Sequence, residues 1–375
     1  CRVMKSKILT LFLLVLCGAV VANAGVKFKT VDGEFMELGG RIQLQYHMVD
    51  PDDGEETDEL FFRRFRPYIA GSVTENWKGK FQWDMGKSKL AIKDAYMQYG
   101  GYDSMKVTLG NMTFPFSREQ LTSSKKQQLV ERTFVGNHNY GTPDRQTGIH
   151  LSGHNSAKTM TWAVSGVKAA VDPSNSKLDF DTVIQVDAGS DWSEGEMVGG
   201  RVGLYPQGYE KPSQGDFSGD FRTYIALAGF SWSNDEDNLD SERGDDVDSV
   251  TGLEISAGLR KAGLSVDAQY NAFDSELTDS GVTDGIYENS ETTLSSYAME
   301  GGYMVIPGKV EVVAGYQSQD ADNYAKSWNR ISGGLNYFVN KHKMKYQLTY
   351  RVNENEDGVE DADANELFVQ AQYVF

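Results

Sequence analysis

The chain has 375 residues, a mean hydropathy of -0.47 and a formal net charge of -18 at pH 7. No long apolar run or amphipathic helix is evident after residue 24, which disfavours a soluble protein built around a helical core. Both cysteines, Cys1 and Cys17, precede residue 25, so the remaining chain excludes a disulfide scaffold and a thiolate zinc site.

The first segment is predicted to be an export signal. Two lysines follow Met4, an apolar run covers residues 8–21, and Ala22-Asn23-Ala24 has the small-x-small pattern of a signal-peptidase site. The apolar run is shorter than the ~20 residues that a spanning helix needs. We therefore expect residues 1–24 to be removed and residues 25–375 to form one domain.

The rest of the chain repeats one pattern, in which about ten residues of alternating apolar and polar side chains precede a turn or loop. This alternation gives each strand one apolar and one polar face. The second strand carries Arg64 and Arg66 on its polar face, and its Pro67 removes a ladder donor. In the fourth strand, Ile92 and Lys93 do not fit a single alternation. Sixteen strands are predicted, near residues 42–48, 61–73, 81–85, 95–99, 105–109, 148–154, 160–167, 198–204, 224–232, 253–259, 264–270, 297–305, 310–316, 331–337, 344–350 and 367–375.

The connections between these strands alternate in length. Short connections alternate with long acidic ones, which indicates an antiparallel up-and-down meander with one short-turn end and one long-loop end. Such a meander is typical of a transmembrane β-barrel, where closure satisfies every backbone group in lipid. The alternative, a soluble β-sandwich or solenoid, explains neither the aromatic residues at strand ends nor a final apolar strand ending at Phe375.

One stretch interrupts the alternation for some thirty-five residues after the fifth strand, from about Gly110. It contains Phe114, Phe116, Leu121 and Leu129, apolar groups that a disordered segment would lack. We therefore predict a packed loop between the fifth and sixth strands.

Charge is unevenly distributed along the chain. Residues 50–59, 234–251, 274–294 and 353–366 hold 28 acidic residues and one basic residue, Arg243. The remainder of the chain after residue 24 is then net positive. The predicted barrel and its packed loop therefore favour anions, although acidic outer loops would repel anions or hold divalent cations.

Seven motifs follow one another along the chain: residues 37–41 (ELGGR), 62–66 (FRRFR), 93–96 (KDAY), 109–132, 143–145 (PDR), 201–206 and 334–337 (GLNY). In this order they resemble the phosphate-selective porins O and P of Gram-negative outer membranes, over essentially all of residues 25–375. The resemblance implies an all-β, sixteen-stranded antiparallel transmembrane β-barrel, a homotrimer, and a third external loop folded inward. It also implies lumenal arginines and lysines that guide small anions, with outer-membrane lipid and lipopolysaccharide around the barrel, and no cofactor. Phe375 resembles the terminal signal for barrel assembly.

Basic residues at predicted lumenal positions form the candidate anion pathway. A low-dielectric passage lined by one sign of charge concentrates counter-ions, and arginine adds a fork that fits phosphate oxygens. Each residue taken singly is better explained as a solvated side chain or a partner for Asp94, Glu119 or Glu131, whereas a lysine pair on the loop favours a functional role. The candidates are Arg64, Arg66, Lys106, Arg118, Lys125, Lys126, Arg132 and Arg201.

Other functions have weaker support in the sequence. Residues 353–364 begin like a calcium loop but have Ala364 where a bidentate glutamate is needed. His150 and His154 share a strand face without a third ligand, so no metal site is predicted.

A general non-specific porin stays open beside an anion porin for phosphate or pyrophosphate. An outer-membrane barrel enzyme lacks a nucleophile motif, an adhesin or structural barrel would need a plugged lumen, and no nucleic-acid partner is expected.

Overall fold

The structure is a computed structural model that describes residues 25–31, 33–186, 192–235 and 246–375. The predicted export signal, residues 1–24, lies outside the described residues. Nearly all regular structure in the described part is antiparallel sheet. The strands are β1 (Val26–Lys29), β2 (Phe35–Pro51), β3 (Thr57–Ser72), β4 (Trp77–Asp84), β5 (Ala91–Tyr99), β6 (Met105–Thr113), β7 (Arg145–His154), β8 (Met160–Val171), β9 (Phe180–Asp181), β10 (Ser193–Leu204), β11 (Arg222–Asn234), β12 (Val247–Lys261), β13 (Leu264–Leu277), β14 (Glu291–Ile306), β15 (Val310–Asp320), β16 (Trp328–Asn340), β17 (Met344–Glu354) and β18 (Ala364–Val374).

Sixteen of these strands close into a barrel, which confirms the predicted strand number. Each pairs with its neighbours in chain order, and closure occurs where β18 pairs with β2, from Ala364↔Pro51 to Val374↔Arg41. The two other strands are short: β1 extends the edge of β2, and β9 pairs with the end of β8. Closure leaves no sheet edge unpaired along the wall, as a lipid environment requires.

The alternation read from the sequence gives the wall its two faces. In β10, Val198 and Val202 are exposed on the outside, whereas Met197 and Arg201 are buried on the inside. Because successive side chains point to opposite faces of a strand, the alternation alone is enough to place most apolar residues outside and most polar residues inside. Pro67 is accommodated because the β3–β4 ladder begins only at Tyr68↔Gln82.

Two β-bulges place consecutive residues on the inner face. In β3, Gln43 pairs with Arg64 but Leu44 pairs with Phe62, so Arg63 is the extra residue. In β5, Lys93 is skipped in the same way between Asp94 and Ile92, which explains why this strand did not fit one alternation. A bulge re-aims a side chain, and here each adds an inward-reaching cation.

The ends of several strands differ from the prediction. β6 continues to Thr113 and β4 ends at Asp84, so Met85 begins a turn rather than ending a strand. The larger difference is residues 205–221, which connect β10 to β11 at the short-turn end. The other six connections at this end have two to five residues. The prediction that all connections at this end are short is therefore wrong for residues 205–221.

Helical structure is confined to single turns. The α-helical turn Arg118–Leu121 and the 3₁₀ turns Ser124–Lys126, Phe134–Gly136 and His138–Tyr140 lie between β6 and β7. No helix in the described part of the chain is long and apolar enough to cross a membrane.

A buried apolar cluster lies between the β6–β7 loop and the wall formed by β8 to β14. Phe116 packs edge-on against Phe230 with ring centroids 5.0 Å apart, and its centroid is 5.7 Å from that of Phe273. Phe114 joins the same cluster, and neither Phe114 nor Phe116 exposes any surface. Aromatic packing thus holds the beginning of the loop against this side of the wall.

Candidate functional site

Residues 114–144, between β6 and β7, form hydrogen bonds with inner-face side chains of distant strands. The Gln372 amide donates to the carbonyl oxygen of Lys125 at 3.0 Å, and the Lys345 ammonium donates to that of Gln127 at 2.7 Å. Asn336 donates to the carbonyl oxygen of Gln128 at 2.9 Å. Because the loop carbonyls are bonded by side chains of β16, β17 and β18, its path is fixed relative to the wall opposite β6 and β7.

Two glutamates anchor this loop in different ways. Glu131, which is half-buried, accepts two hydrogen bonds from the guanidinium of Arg63, at 2.5 and 3.0 Å, and lies 3.8 Å from Arg64. This bidentate pair lowers the pKa of Glu131 although desolvation raises it. Glu119 instead accepts from the hydroxyl and backbone N–H of Thr133, and burial raises its pKa to about 7.

A cavity of about 570 Å³ lies between the loop and the wall formed by β2 to β7. Eight cationic but only two acidic side chains line it, so its charge is strongly positive. The cations are Arg41, Arg66, Lys80, Lys125, Lys126, Arg132, Arg145 and Lys211, and the acids are Glu37 and Asp94.

Three of the eight cations are neutralised by carboxylates. Arg66 pairs with Asp84 at 2.6 Å, and Asp94 is shared between Lys80 and Arg145. The other five have no ion pair with any carboxylate in the described part of the chain: Arg41, Lys125, Lys126, Arg132 and Lys211. Three of these five unpaired cations, Lys125, Lys126 and Arg132, lie on the β6–β7 loop, so the loop supplies most of the uncompensated charge of the cavity.

The charges of this group repel one another. Burial, followed by the nearby charges of Arg41 and Lys211, lowers the pKa of Lys125 to about 8. The pKa of Lys126 is lowered by burial and by the charges of Lys211 and Arg118. Such a cluster is electrostatically costly in an empty cavity and is relieved by an anion.

Two arginine N–H groups beside the cavity have no partner. The Nε atoms of Arg41 and Arg132 are buried and make no hydrogen bond with the described residues. Other nitrogens of both residues are held in place, Arg41 by the Ser123 hydroxyl at 3.1 Å and Arg132 by the Thr122 carbonyl at 3.1 Å. Guanidinium groups fixed in this way in a cavity wall suit an oxyanion acceptor.

A second cavity, about 400 Å³, lies beside the first and shares Thr113, Leu121, Lys211 and Pro212 with it. Of its four lysine and arginine side chains, only Arg201 has an ion pair with a described carboxylate. Arg201 forms an ion pair with Glu254, and the guanidinium of Arg118 lies 4.0 Å from the Tyr224 ring centroid. Lys106 is exposed here and lacks an ion pair with a described carboxylate.

The eight candidate residues thus fall into three groups. Arg66, Lys125, Lys126 and Arg132 line the larger cavity, and Lys106, Arg118 and Arg201 line the smaller one. Arg64 lines neither of the two. Its guanidinium bonds Gln43 at 3.2 Å and lies near Glu131, which is the structural alternative considered for it.

Sequence reasoning missed four cations of the larger cavity. Arg41 and Arg145 lay within recognised motifs and, like Lys80, on strands whose polar faces turn inward, so the alternation itself contained the signal for them. Lys211 carried no such signal, because the path of residues 205–221 depends on tertiary contacts. Across the described residues, no group of three or more His, Cys, Asp or Glu side chains is arranged to hold a metal ion.

Comparison with solved structures finds barrels of the same architecture. An anion-selective porin from Comamonas acidovorans has a TM-score of 0.56 and 14% identity, covering 91% of this chain and 100% of that one. The outer membrane channel DcaP of Acinetobacter baumannii has a TM-score of 0.56 and 15% identity, covering 94% and 100%. OmpT of Vibrio cholerae, in a trimer form, has a TM-score of 0.53 and 13% identity, covering 92% and 100%. At these identities the likeness shows the fold alone.

Comparison with curated proteins found no match. A family model described as "Phosphate-selective porin O and P" matches residues 36–375, which is nearly the whole described chain. The chain therefore belongs to the phosphate-selective porin O and P family and is an outer-membrane porin.

Proposed function

We propose that this porin lets small anions diffuse across the outer membrane along the 570 Å³ cavity, and that residues 114–144 narrow the passage there. The observation that carries the proposal is the set of five unpaired cations, Arg41, Lys125, Lys126, Arg132 and Lys211, in one cavity. An anion entering such a site gains electrostatic energy, whereas a cation meets a barrier.

The pathway that we propose includes the paired cations as well. Arg66 and Arg64 hold their places through Asp84 and Glu131, so they contribute fixed N–H donors with little net charge. Lys106, Arg118 and Arg201, beside the second cavity, extend the cationic lining. Lysine acts as a mobile point charge and arginine as an oriented fork, so a mixture of the two suits ions that must bind and then leave.

Phosphate and pyrophosphate are the anions that we propose to test first, because guanidinium forks match their oxygens. The competing function is a general porin without marked selectivity. The 28 acidic residues of the four long acidic segments favour that alternative, because they face an anion before the cavity does. The similar barrel from Comamonas acidovorans is an anion-selective porin, which supports the anion pathway.

We further propose that the protein is a homotrimer in contact with outer-membrane lipid and lipopolysaccharide, and that residues 1–24 are a cleaved signal peptide. The trimer form of the similar OmpT structure supports the oligomeric state. We also propose that the protein acts as a passive channel rather than an enzyme, in keeping with its family.

The test is a reversal-potential measurement on the purified protein in planar bilayers with a potassium chloride gradient. We expect open channels that favour chloride over potassium. A reversal potential that favours potassium would refute the anion pathway while leaving the porin assignment unaffected.

A further inference from the structure

Residues 205–221, the long connection at the short-turn end, run from one side of the barrel opening to the other. Near their start, the Tyr205 N–H donates to the Thr159 carbonyl at 2.7 Å, in the turn between β7 and β8. Further along, the Gly263 N–H donates to Asp216 at 2.8 Å, beside β12 and β13. The Phe217 ring packs edge-on against Phe338 of β16, with centroids 4.9 Å apart. The connection therefore bridges strands that are far apart around the barrel.

Gln214 joins this connection to the β6–β7 loop. Its N–H donates to the Lys126 carbonyl at 3.0 Å, and its side-chain oxygen accepts from the Gln128 N–H at 2.7 Å. Its amide nitrogen donates to Glu300 at 2.6 Å, and its own carbonyl oxygen lies 3.0 Å from His342 Nε2. Gln214 is 3% exposed, and every polar group that it presents is bonded. A residue with four such contacts fixes the two segments relative to each other.

Gly215 follows immediately, with a φ of +77°. A left-handed backbone at this position turns the chain sharply after the Gln214 contacts and favours glycine, because other residues pay a steric penalty there. Gly215 therefore allows the connection to bend where it meets the β6–β7 loop.

Lys211 lies three residues before Gln214 in the same connection. It lines both the 570 Å³ and the 400 Å³ cavities, and its side chain is exposed. Leu121 and Pro212 are shared by the two cavities in the same way. Lys211 therefore lies where the cavities adjoin, and it lines the larger one together with Lys125 and Lys126.

We propose that residues 205–221 form the periplasmic half of the constriction that selects ions. Lys211 then completes a three-lysine group with Lys125 and Lys126. Gln214 acts as the positioning residue that holds the two halves together. The inference deepens the proposed function and rests on it: if anions pass this cavity, they meet a cation supplied from the periplasmic end as well as those of the external loop.

The charge variant Lys211→Glu tests this inference in planar bilayers at 0.1 M potassium chloride. The matched control is Lys309→Glu, an exposed lysine in the turn between β14 and β15 that lines neither cavity. The positive control is Lys126→Glu. We expect Lys211→Glu and Lys126→Glu each to lower the chloride-to-potassium permeability ratio severalfold, and Lys309→Glu to leave it unchanged.

The outcomes separate the two proposals. If Lys126→Glu lowers the ratio and Lys211→Glu behaves like Lys309→Glu, the inference about the connection is wrong and the anion pathway stands. If neither Lys126→Glu nor Lys211→Glu has an effect, the proposed function itself fails.

A thiol variant gives a second measurement that does not depend on charge reversal. Residues 25–375 contain no cysteine, so Lys211→Cys introduces one thiol into the mature chain. A negatively charged methanethiosulfonate reagent added on the periplasmic side should attach a sulfonate there and reduce chloride current, while Lys309→Cys should be silent. Unchanged current after complete modification of Lys211→Cys, checked by mass spectrometry, would overturn the inference.

Discussion

Reversal of the loop lysines, Lys125→Glu with Lys126→Glu, is the most direct test of the proposed anion pathway. Both residues line the 570 Å³ cavity, and neither has an ion pair with a described carboxylate. The substitution changes the lining from eight cations and two acids to six cations and four acids. Their hydrogen bonds are made by backbone groups, so the change leaves the loop hydrogen bonds in place.

The size of the effect follows from the size of the cavity. A sphere of 570 Å³ has a radius of about 5 Å, so a lining charge lies roughly 7 Å from a central ion and contributes about 0.6 kcal/mol in a water-like dielectric. Reversing two charges equals four such contributions, or about 2.4 kcal/mol, which screening at 0.1 M salt roughly halves. The energy of chloride rises by this amount and that of potassium falls by it, so the chloride-to-potassium permeability ratio should fall roughly sixtyfold at 0.1 M salt and about twofold at 1 M.

The assay is the reversal potential across a salt gradient, measured at both ionic strengths. The control is Lys341→Glu with Lys343→Glu, which carries the same charge change on exposed residues flanking His342 at the short-turn end. An equal shift from the two double variants would show that the loop lysines do not line the narrowest point. An effect that does not weaken at 1 M salt would contradict the electrostatic origin.

Two further expectations follow from the same cavity. Added phosphate at millimolar concentration should reduce chloride current, because the guanidinium groups of Arg41 and Arg132 line the cavity and suit its oxygens; without a reduction, the proposed selectivity for phosphate is wrong. The lowered pKa of Lys125, about 8, means that its charge is present below pH 8 and lost above it, so anion preference should fall between pH 7 and 9. Lys125→Gln should remove most of this pH dependence, and a profile identical to that of the unsubstituted protein would rule out Lys125 as its source.

Much of the wall was predictable because strand alternation is a local property. The faces of β10, with Val198 and Val202 outside and Arg201 inside, agree with the sequence pattern. The pattern fails at the bulges, where Arg63 and Lys93 add a residue and turn two consecutive side chains inward. Only the misfit at Ile92 and Lys93 hinted at this, since a bulge depends on the register of both strands.

The candidate site was predictable in part. Lys125 and Lys126 were identified from their place on a long packed loop, and the structure brings them beside Arg66 and Arg132. The pairing state of each cation was not predictable. Glu131 was one of three carboxylates considered as partners, but no local pattern could assign it to Arg64, because 67 residues separate the two along the chain.

The sequence by itself determined the sixteen-stranded wall, its inner and outer faces and the confinement of most acidic residues to four segments, because each of these follows from residue order within a strand or a loop. Tertiary structure alone decided which cations are left without a carboxylate and where they meet. It also decided that residues 205–221 reach the β6–β7 loop through Gln214, bringing Lys211 to the cavity. Contacts between segments so distant in sequence arise from closure of the barrel, which no local pattern encodes.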